Sequence, residues 1–294
     1  MIIVITGPTG VGKTKLSIEL AKYYDAEIIN ADSMQVYKGL DIGTAKVTEE
    51  EKENIPHHLF DICEVHDIYT VYDYQRDCRN KIAELESRGK NIILVGGTGL
   101  YIKAALYDYR FKKEEELNEY NELSNQEIID KIKLYNVEPC THINNRRRLI
   151  RQLNKLEFDL NTENTGNIPL YDFKIIGLTT DRDNLYNKIN NRVDKMVNDG
   201  LILEVESFYK KGIFSKAIMT GIGYKELYSY FDGECSLDDA LDKIKQNSRR
   251  YAKRQYTFFN HQLNVKWFET NYDDFNKTVI DVKNYLGGDF NGKK

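Results

Sequence analysis

Residues 7–14 read GPTGVGKT and follow the apolar run IIVI at 2–5. They are followed by a helical pattern with Leu16, Leu20 and Tyr24 on one side. A buried strand, a glycine-rich loop and a helix, in this order, form the context that the phosphate-loop pattern GxxxxGK[ST] requires. The residues of this candidate phosphate loop are Gly7, Pro8, Thr9, Gly10, Val11, Gly12, Lys13 and Thr14.

The candidate phosphate loop has a simple physical basis. Its glycines allow backbone conformations that are closed to other residues, so that successive N–H groups can point at one anion. The helix that follows contributes the positive end of its dipole, Lys13 contributes a full charge, and the Thr14 hydroxyl can ligate Mg²⁺. We therefore predict that the chain binds a di- or triphosphate. A glycine-rich turn with a chance Lys-Thr pair is the alternative.

The composition is that of a globular protein without a strong charge bias. Of the 294 residues, 30% are charged and 12% are aromatic, and the formal net charge is −4. This balance argues against a generically basic nucleic-acid binder and leaves room for local basic faces. No apolar run approaches the ~18 residues of a membrane span, and the first strand begins at residue 2, which leaves no room for a signal peptide. The cysteines show neither CxxC nor zinc spacing. We expect a cytoplasmic protein with no membrane segment, disulfide scaffold or zinc site.

Three further apolar runs, at 26–31, 91–95 and 173–178, alternate with helical patterns. This alternation predicts an α/β fold with a P-loop NTPase-like parallel sheet. Asp32 and Ser33 follow the first of these runs directly. Because the carboxyl ends of parallel strands face the ligand crevice, we expect Asp32 beside the phosphate loop, although Asp also caps turns and helices.

The composition changes between Arg110 and Tyr171, where Lys, Glu and Asn dominate and helical stripes appear without a convincing buried strand. We therefore predict a helical insertion domain at 112–171. The P-loop α/β core, with its C-terminal helices, would comprise 1–111 and 172–294.

The end of the strand at 91–95 indicates the kind of chemistry. A nucleotide-hydrolysing protein of this class usually carries an Asp there, beside Mg²⁺, whereas this chain continues with Gly96 and Gly97. The guanine-reading motif NKxD is also missing, since the similar letters NKLE at 154–157 lie in a helical pattern. These features favour a group-transfer enzyme over a switch or a motor.

Two basic clusters are candidate phosphate-backbone contacts. One contains Arg146, Arg147, Arg148 and Arg151; the other, on a helix predicted at about 238–260, contains Arg249, Arg250, Lys253 and Arg254. Clustered arginine suits a phosphate backbone, and aromatic residues behind a basic face suit RNA. A solvated helical face is the alternative for both clusters.

Three isolated features are more ambiguous. Arg192 lies near the apolar stripe of a helix predicted at 183–199, with Gly200 as its C-cap, so it needs either a structural ion pair or an anionic ligand. Lys46, in a loop rich in Gly and Thr, is a possible second phosphate contact. His57 and His58 are adjacent in a predicted loop, and we do not expect them to bind a metal, because no third ligand is spaced suitably nearby.

Taken together, these residues resemble the tRNA dimethylallyltransferase (tRNA isopentenyltransferase) family. The matching segments are GPTGVGKT at 7–14, ADSMQVYKGLDIGTAK at 31–46, PHHLFDI at 56–62, LVGGTGLY at 94–101, RRLIR at 147–151, NRVDKMVNDGLILEV at 191–205, GIGYKEL at 221–227 and YAKRQYTFF at 251–259. The resemblance implies transfer of a dimethylallyl group from dimethylallyl diphosphate to N6 of adenosine 37, just 3′ of the anticodon, in tRNAs that read codons beginning with U.

The resemblance also assigns roles to particular residues. Residues 7–14 would hold the donor's diphosphate, with Mg²⁺ at Thr14, and Arg192 would clamp the same diphosphate. Asp32 would be the base at N6, and Thr98 would contact the substrate nucleotide, so the implied catalytic set is Asp32, Arg192 and Thr98. The implied tRNA contacts are Asp32, Ser33, Met34, Gln35, Thr98, Arg147, Arg148, Arg151, Lys253, Arg254 and Gln255.

The chain departs from the family pattern at two positions. Asn154 and Asn260 stand where many relatives carry Glu and Arg, so these positions are expected to contribute less to tRNA binding here. The segment before Lys131 is poorly matched, and the family's arginine contact cannot be located there.

Three other functions fit parts of the sequence. A small-molecule kinase of the shikimate- or nucleoside-kinase type would use Asp32 to bind its acceptor. An adenylate isopentenyltransferase would take free AMP, although the basic helices favour a polynucleotide, and a nucleotide-dependent RNA-binding module would make no product. The partners implied by the favoured function are the anticodon stem-loop of tRNA and dimethylallyl diphosphate, and we expect a monomer.

Overall fold

A computed structural model describes residues 2–111, 120, 122–157 and 166–287. In these residues a six-stranded sheet has the order β3-β2-β4-β1-β5-β6, and every pairing in it is parallel. The strands are β1 Ile2–Thr6, β2 Ala26–Asn30, β3 His57–His58, β4 Asn91–Val95, β5 Phe173–Thr179 and β6 Lys266–Glu269. The predicted α/β class and parallel sheet are therefore confirmed.

Helices precede and follow these strands along the chain. Those before β5 are α1 Lys13–Tyr24, α2 Glu49–Lys52, α3 Val71–Ser87, α4 Gly99–Leu106, α5 Asn125–Leu134 and α6 Arg146–Glu157. Those after it are α7 Arg182–Asn198, α8 Leu201–Lys210, α9 Lys216–Thr220, α10 Tyr224–Phe231, α11 Leu237–Gln262 and α12 Phe275–Leu286. In the described residues, none of the helices is both long enough and apolar enough to cross a membrane.

The central strands are apolar throughout because both faces of the sheet are buried. Ile3 and Ile5 of β1 pack with α1 and α12 on one face, whereas Val4 packs with α3 and α4 on the other. A third core cluster joins α7, α8, α10 and α11 to residues that follow β2. This third cluster lies beside the carboxyl end of the sheet and forms part of the functional cavity described below.

The predicted element boundaries need small corrections. The run at 26–31 forms β2 up to Asn30, and the helix predicted at 238–260 is a 26-residue helix, Leu237–Gln262. Asp199 is the C-cap of α7, so the prediction that Gly200 is the C-cap is wrong by one position. Gly200 has a φ of 107°, the left-handed conformation that commonly follows the end of a helix, and it is the N-cap of α8.

The described chain divides into two compact units, Met1–Tyr109 with Pro169–Lys294 and Arg110–Ile168. The second unit contains α5 and α6, which pack against each other through a small apolar core. The members of this core include Ile128, Ile132, Leu149 and Leu153. This unit is helical in its described residues and occupies the part of the chain where the insertion domain was predicted at 112–171.

His57 and His58 form the edge strand β3, and the prediction of a loop at these residues is wrong. His58 Nε2 lies 2.7 Å from Glu27 Oε2, and His57 Nδ1 lies 2.8 Å from the Ile55 carbonyl oxygen. Arg88 also donates to the Glu27 carboxylate, which is buried on β2. The two histidines therefore have structural partners at the sheet edge.

We predict that Glu27→Gln lowers the free energy of unfolding by about 1–3 kcal/mol at neutral pH, because it removes the charge that both partners bind. Burial by itself would raise the pKa of Glu27, but the hydrogen bonds from His58 and Arg88 outweigh it and lower the pKa below its usual value. The stabilisation is therefore present above the pKa of an unfolded glutamate and is lost as the pH falls through the lower folded pKa. Urea unfolding over a pH series measures the difference.

Asp25→Asn is the matched control, because Asp25 pairs with Lys90 with its side chain 87% exposed. An exposed pair of this kind contributes about 0–1 kcal/mol. Equal losses in the two variants would contradict the role of Glu27.

Candidate active site

The phosphate loop joins the end of β1 to the start of α1. Gly10 and Gly12 have φ values of 87° and 91°, a left-handed region that favours glycine. Lys13, the first residue of α1, folds back so that its Nζ donates to the Pro8 carbonyl oxygen at 2.7 Å. Thr14 follows with an exposed side chain. The loop thus presents one cation and one hydroxyl at a helix N-terminus, as an anion site requires.

The two cations of this region are Lys13 and Arg192, and Arg192 is close enough to affect the pKa of Lys13. Burial and the neighbouring Arg192 lower the pKa of Lys13 to about 7, while the charge of Asp32 acts in the opposite direction. Burial likewise lowers the pKa of Arg192, and Asp32 again opposes the shift. Within the described residues neither cation forms a salt bridge, and Arg192 Nη2 donates to the Thr44 carbonyl oxygen at 3.3 Å. Such a pair is suited to a polyanionic ligand, because that ligand supplies the missing negative charge.

Asp32 lies just beyond the end of β2 and is held by its neighbours. Its backbone N–H donates to Asn30 Oδ1 at 2.9 Å, and its Oδ1 accepts from the Met34 backbone N–H at 3.0 Å. The other carboxylate oxygen, Oδ2, is on the side of Gly97. One oxygen of Asp32 is therefore fixed by the turn that follows β2, and the residue lines the main cavity.

The glycines after β4 are explained by close packing. A Cβ on Gly97 would lie 2.2 Å from Gln255 Nε2, which donates to the Gly97 carbonyl oxygen at 3.0 Å. Thr98 Oγ1 accepts from the Ser33 backbone N–H at 3.0 Å. Gln255 of α11 therefore occupies the space that a side chain at position 97 would need.

The loop at 41–46 is fixed by Glu204 of α8. The Glu204 carboxylate accepts from three successive backbone N–H groups, of Asp41 at 3.1 Å, Ile42 at 2.7 Å and Gly43 at 3.1 Å. It also accepts from the Tyr224 hydroxyl at 2.6 Å. This loop carries the Thr44 carbonyl oxygen that binds Arg192, so Glu204 contributes to the position of Arg192.

Lys46 is not among the residues that line the cavity, and the prediction that it contacts a phosphate is wrong. Its Nζ bonds to Asp41 Oδ1 and Asp61 Oδ1, each at 2.6 Å, and to the Tyr37 carbonyl oxygen at 2.8 Å. Two carboxylates neutralise this charge, so Lys46 stabilises the loop. The loop lines the cavity through Gly43 and Thr44 instead.

A cavity of about 770 Å³ opens at the carboxyl ends of the strands. The predicted site residues that line it are Thr9, Gly10, Gly12, Lys13, Thr14, Asp32, Ser33, Met34, Gln35, Arg192, Arg254 and Gln255. Gly7, Pro8 and Val11 are buried within the loop, Thr98 supports Ser33, and Lys253 is exposed on α11. The structure thus brings the phosphate loop, Asp32 and Arg192 to one cavity.

Sequence reasoning missed several residues of this cavity. Tyr251 lines it, and burial, reinforced by the charge of Asp32, raises the pKa of its phenol. Lys225 and Ser248 also line it. Tyr251 stands in the segment YAKRQYTFF, which was a signal that could have found it.

The basic clusters divide into structural and exposed members. Arg146 donates to Leu123, Asn125 and Tyr120, and Arg249 donates to Asn190 Oδ1 at 2.6 Å, so both have structural partners. The exposed members are Arg147, Arg148, Arg151, Arg250, Lys253 and Arg254. Two residues depart from the family pattern, Asn154 and Asn260. Asn260 Oδ1 accepts a hydrogen bond from Trp267 Nε1 at 3.0 Å. Asn154 Oδ1 is buried and has no hydrogen-bond partner among the described residues.

These features define a P-loop-like α/β protein in which Lys13, Arg192 and the carboxylate of Asp32 line one cavity. The family model described as IPP transferase matches residues 35–262. The chain is 48% identical over 283 residues to the tRNA dimethylallyltransferase of Bacillus subtilis (strain 168), covering 91% of this chain and 90% of that protein. It is 45% identical over 304 positions to the protein of the same name from Anoxybacillus flavithermus, covering 98% and 97%. The chain belongs to the IPP transferase family.

Solved structures agree with this assignment. The full-length tRNA isopentenylpyrophosphate transferase of Bacillus halodurans superposes with a TM-score of 0.78 at 41% identity, covering 98% of this chain and 96% of that one. A eukaryotic dimethylallyltransferase acting on tRNA gives a TM-score of 0.82 at 26% identity, covering 98% and 79%. The predicted resemblance is therefore confirmed, and the protein is a prenyltransferase of this family.

We predict that pyrophosphate binding is coupled to proton uptake by Lys13. At about pH 8.5 the folded protein holds Lys13 mostly neutral, and a bound polyanion restores its charge by raising the pKa again. Calorimetric titration in buffers of different ionisation enthalpy should show about one more proton taken up by the wild type than by Lys13→Arg. At about pH 6 the difference should disappear, because Lys13 is already protonated. Equal proton counts at the higher pH would contradict this.

We also predict that Glu204→Gln lowers the free energy of unfolding by about 1–3 kcal/mol, because an amide cannot accept from all four donors. It should also weaken pyrophosphate binding several-fold through the loop that carries Thr44. Glu206→Gln, two residues further along α8 and paired with Lys210, is the control and should change neither property. Urea unfolding measures the stability and calorimetry measures pyrophosphate binding. A Glu204→Gln protein that matches the control in both would contradict the role of Glu204 in fixing the loop.

Proposed function

We propose that this protein transfers the dimethylallyl group of dimethylallyl diphosphate to N6 of adenosine 37 in tRNAs that read codons beginning with U. The observation that carries the proposal is that Lys13 and Arg192 share one cavity with Asp32. Cations suit the donor's diphosphate, and a carboxylate suits the acceptor amine. Family membership supports the same assignment, since the relatives are named tRNA dimethylallyltransferases.

The chemistry requires both groups. In the transfer, a bond forms between adenine N6 and C1 of the donor while the bond between C1 and the diphosphate oxygen breaks. Negative charge builds on the departing diphosphate, and Lys13, Arg192 and the loop N–H groups stabilise it. Adenine N6 is a poor nucleophile because its lone pair is delocalised into the ring, so Asp32 orients N6 and accepts its proton.

The residues around Asp32 suit an extruded base. Ser33, Met34 and Gln35 line the cavity, and Thr98 fixes Ser33 from behind. Gln255 Oε1 is buried and has no hydrogen-bond partner among the described residues, so it can accept from a polar group of the base. Extruding a base costs a few kcal/mol, and a hairpin-loop nucleotide costs less than one in a duplex. These features support recognition of an anticodon loop.

Further tRNA contacts are assigned to exposed basic residues. Lys253 and Arg254 lie on α11, and Arg254 lines the cavity. Arg147, Arg148 and Arg151 are exposed on α6 of the helical unit, which we propose as the insertion domain that binds tRNA. The enzyme would act in the cytoplasm as a monomer.

Mg²⁺ is the proposed cofactor, and the residues fit it. Thr14 is an exposed residue that lines the cavity and follows Lys13 directly. Mg²⁺ suits such a site, because it usually keeps several waters and binds one or two protein oxygens together with substrate phosphates. Mg²⁺ would neutralise charge on the diphosphate.

We predict that Asp32→Asn and Asp32→Ala lower the transfer rate by about 10²–10⁴-fold, the usual contribution of a general base. The affinities for tRNA and pyrophosphate should stay within a few fold. The measurement is mass analysis of tRNA nucleosides after reaction with dimethylallyl diphosphate. Asp25→Asn, at an exposed residue paired with Lys90, is the control and should retain transfer. Comparable turnover by the Asp32 variants would remove Asp32 from this role.

The same assay separates the rival functions. Free AMP offered in place of an anticodon stem-loop tests the adenylate isopentenyltransferase. Labelled ATP with candidate small acceptors tests the kinase. Phosphoryl transfer to a metabolite with no prenylated tRNA would overturn the proposed function.

A further inference from the structure

One wall of the main cavity is built from core side chains. Val193, Met196, Leu201, Tyr224 and Ile244 line the cavity and belong to a single hydrophobic cluster. Their exposures are only 0–9%, so they are backed by tightly packed protein. We call these five residues the apolar wall. A charged diphosphate or a phosphate backbone has no use for such a surface, whereas a hydrocarbon tail does.

The apolar wall begins beside the diphosphate site. Arg192, Val193 and Met196 are on α7 and line the same cavity. Residues four apart lie on the same face of a helix, about 6 Å further along its axis. A donor whose phosphates bind Arg192 and Lys13 therefore has Met196 about one helical turn away from its charged end.

The part of the cavity beside Leu201 and Tyr224 is held in position by hydrogen bonds. Glu204 ties the loop at 41–43 to α8, the helix whose first residue is Leu201. The same carboxylate binds the Tyr224 hydroxyl, and a Cβ on Gly43 would lie only 2.6 Å from the Tyr224 ring. The space cannot widen here without breaking these hydrogen bonds, so its size depends on the side chains of the apolar wall.

We propose that the apolar wall limits the length of the donor's isoprenoid tail, and that Met196 is the residue that restricts it to one five-carbon unit. This inference rests on the proposed function. The bonds that form and break, and the proton passed from N6 to Asp32, are the same for a five-carbon and a ten-carbon allylic diphosphate. Only the fit of the tail can therefore distinguish the two donors.

Met196 is the residue of the wall that most readily sets this limit. It is the least buried of the five, at 9% exposure, and its unbranched side chain fills irregular space. In an apolar pocket one misplaced methylene changes selectivity by about 10–200-fold. Five additional carbons are thus expected to cost the wild type at least ~100-fold in kcat/KM.

The test compares dimethylallyl diphosphate with geranyl diphosphate, its ten-carbon counterpart, on an anticodon stem-loop. Met196→Ala should reduce the preference for the five-carbon donor by at least about 10-fold, chiefly through gained transfer of the ten-carbon group. Mass analysis of nucleosides identifies the product. Leu203→Ala, whose side chain is 70% exposed on α8, is the control and should keep the wild-type preference.

Met196→Phe changes the space in the opposite direction. It should lower kcat/KM for dimethylallyl diphosphate at least about 10-fold, while the Kd for pyrophosphate stays within about two-fold because the phosphate site is unchanged. The inference is overturned if Met196→Ala melts like the wild type and keeps its preference, or if Met196→Phe uses the five-carbon donor normally. A wild type that transfers nothing from dimethylallyl diphosphate would instead overturn the proposed function.

Discussion

The architecture of the site depends on two cations that line one cavity, Lys13 and Arg192, neither of which forms a salt bridge within the described residues. Lys13 begins α1 and Arg192 lies on α7, and burial together with the charge of Arg192 lowers the pKa of Lys13. Asp32 is close enough to moderate both shifts without forming a salt bridge with either. A protein bears the cost of such an arrangement where a polyanion completes it, and a diphosphate leaving group has the required charge.

Contacts outside the cavity hold Lys13, Arg192 and Asp32 in position. In the sheet, β4 lies between β1 and β2, and the carboxyl ends of these parallel strands lie on the same side. The phosphate loop, which follows β1, and Asp32, which follows β2, therefore line the same cavity. Glu204 joins the loop that binds Arg192 to α8, and α8 also supplies a residue of the apolar wall. The proposed diphosphate binding and the proposed recognition of the tail would therefore depend on one packed region, in which α7 carries Arg192 on one turn and apolar side chains on the next.

Most of the fold could be predicted from the sequence, because its signals are local. The strands at 2–5, 91–95 and 173–178 are apolar runs, and the phosphate loop needs only its own residues and the helix that follows. The edge strands were harder, since β3 has only two residues and β6 only four. Of the candidate site, Lys13, Asp32 and Arg192 do line one cavity, whereas the prediction for Lys46 is wrong because its hydrogen bonds to Asp41 and Asp61 depend on how the loop folds.

What the sequence by itself determined is a parallel sheet, a phosphate loop at its first strand and membership of a prenyltransferase family. These follow from periodicity, from glycine spacing and from motifs that are continuous in the chain. Only the tertiary structure decided that Glu204 anchors the loop at 41–43, and that Gln255 occupies the space above Gly97. It also decided that Val193 and Met196, which belong to the apolar stripe of α7 and would be predicted as core residues, line the cavity. The physical reason is that hydrogen bonds and packing between residues more than 150 positions apart leave no periodic signal in the chain, since either partner alone has many other structural uses.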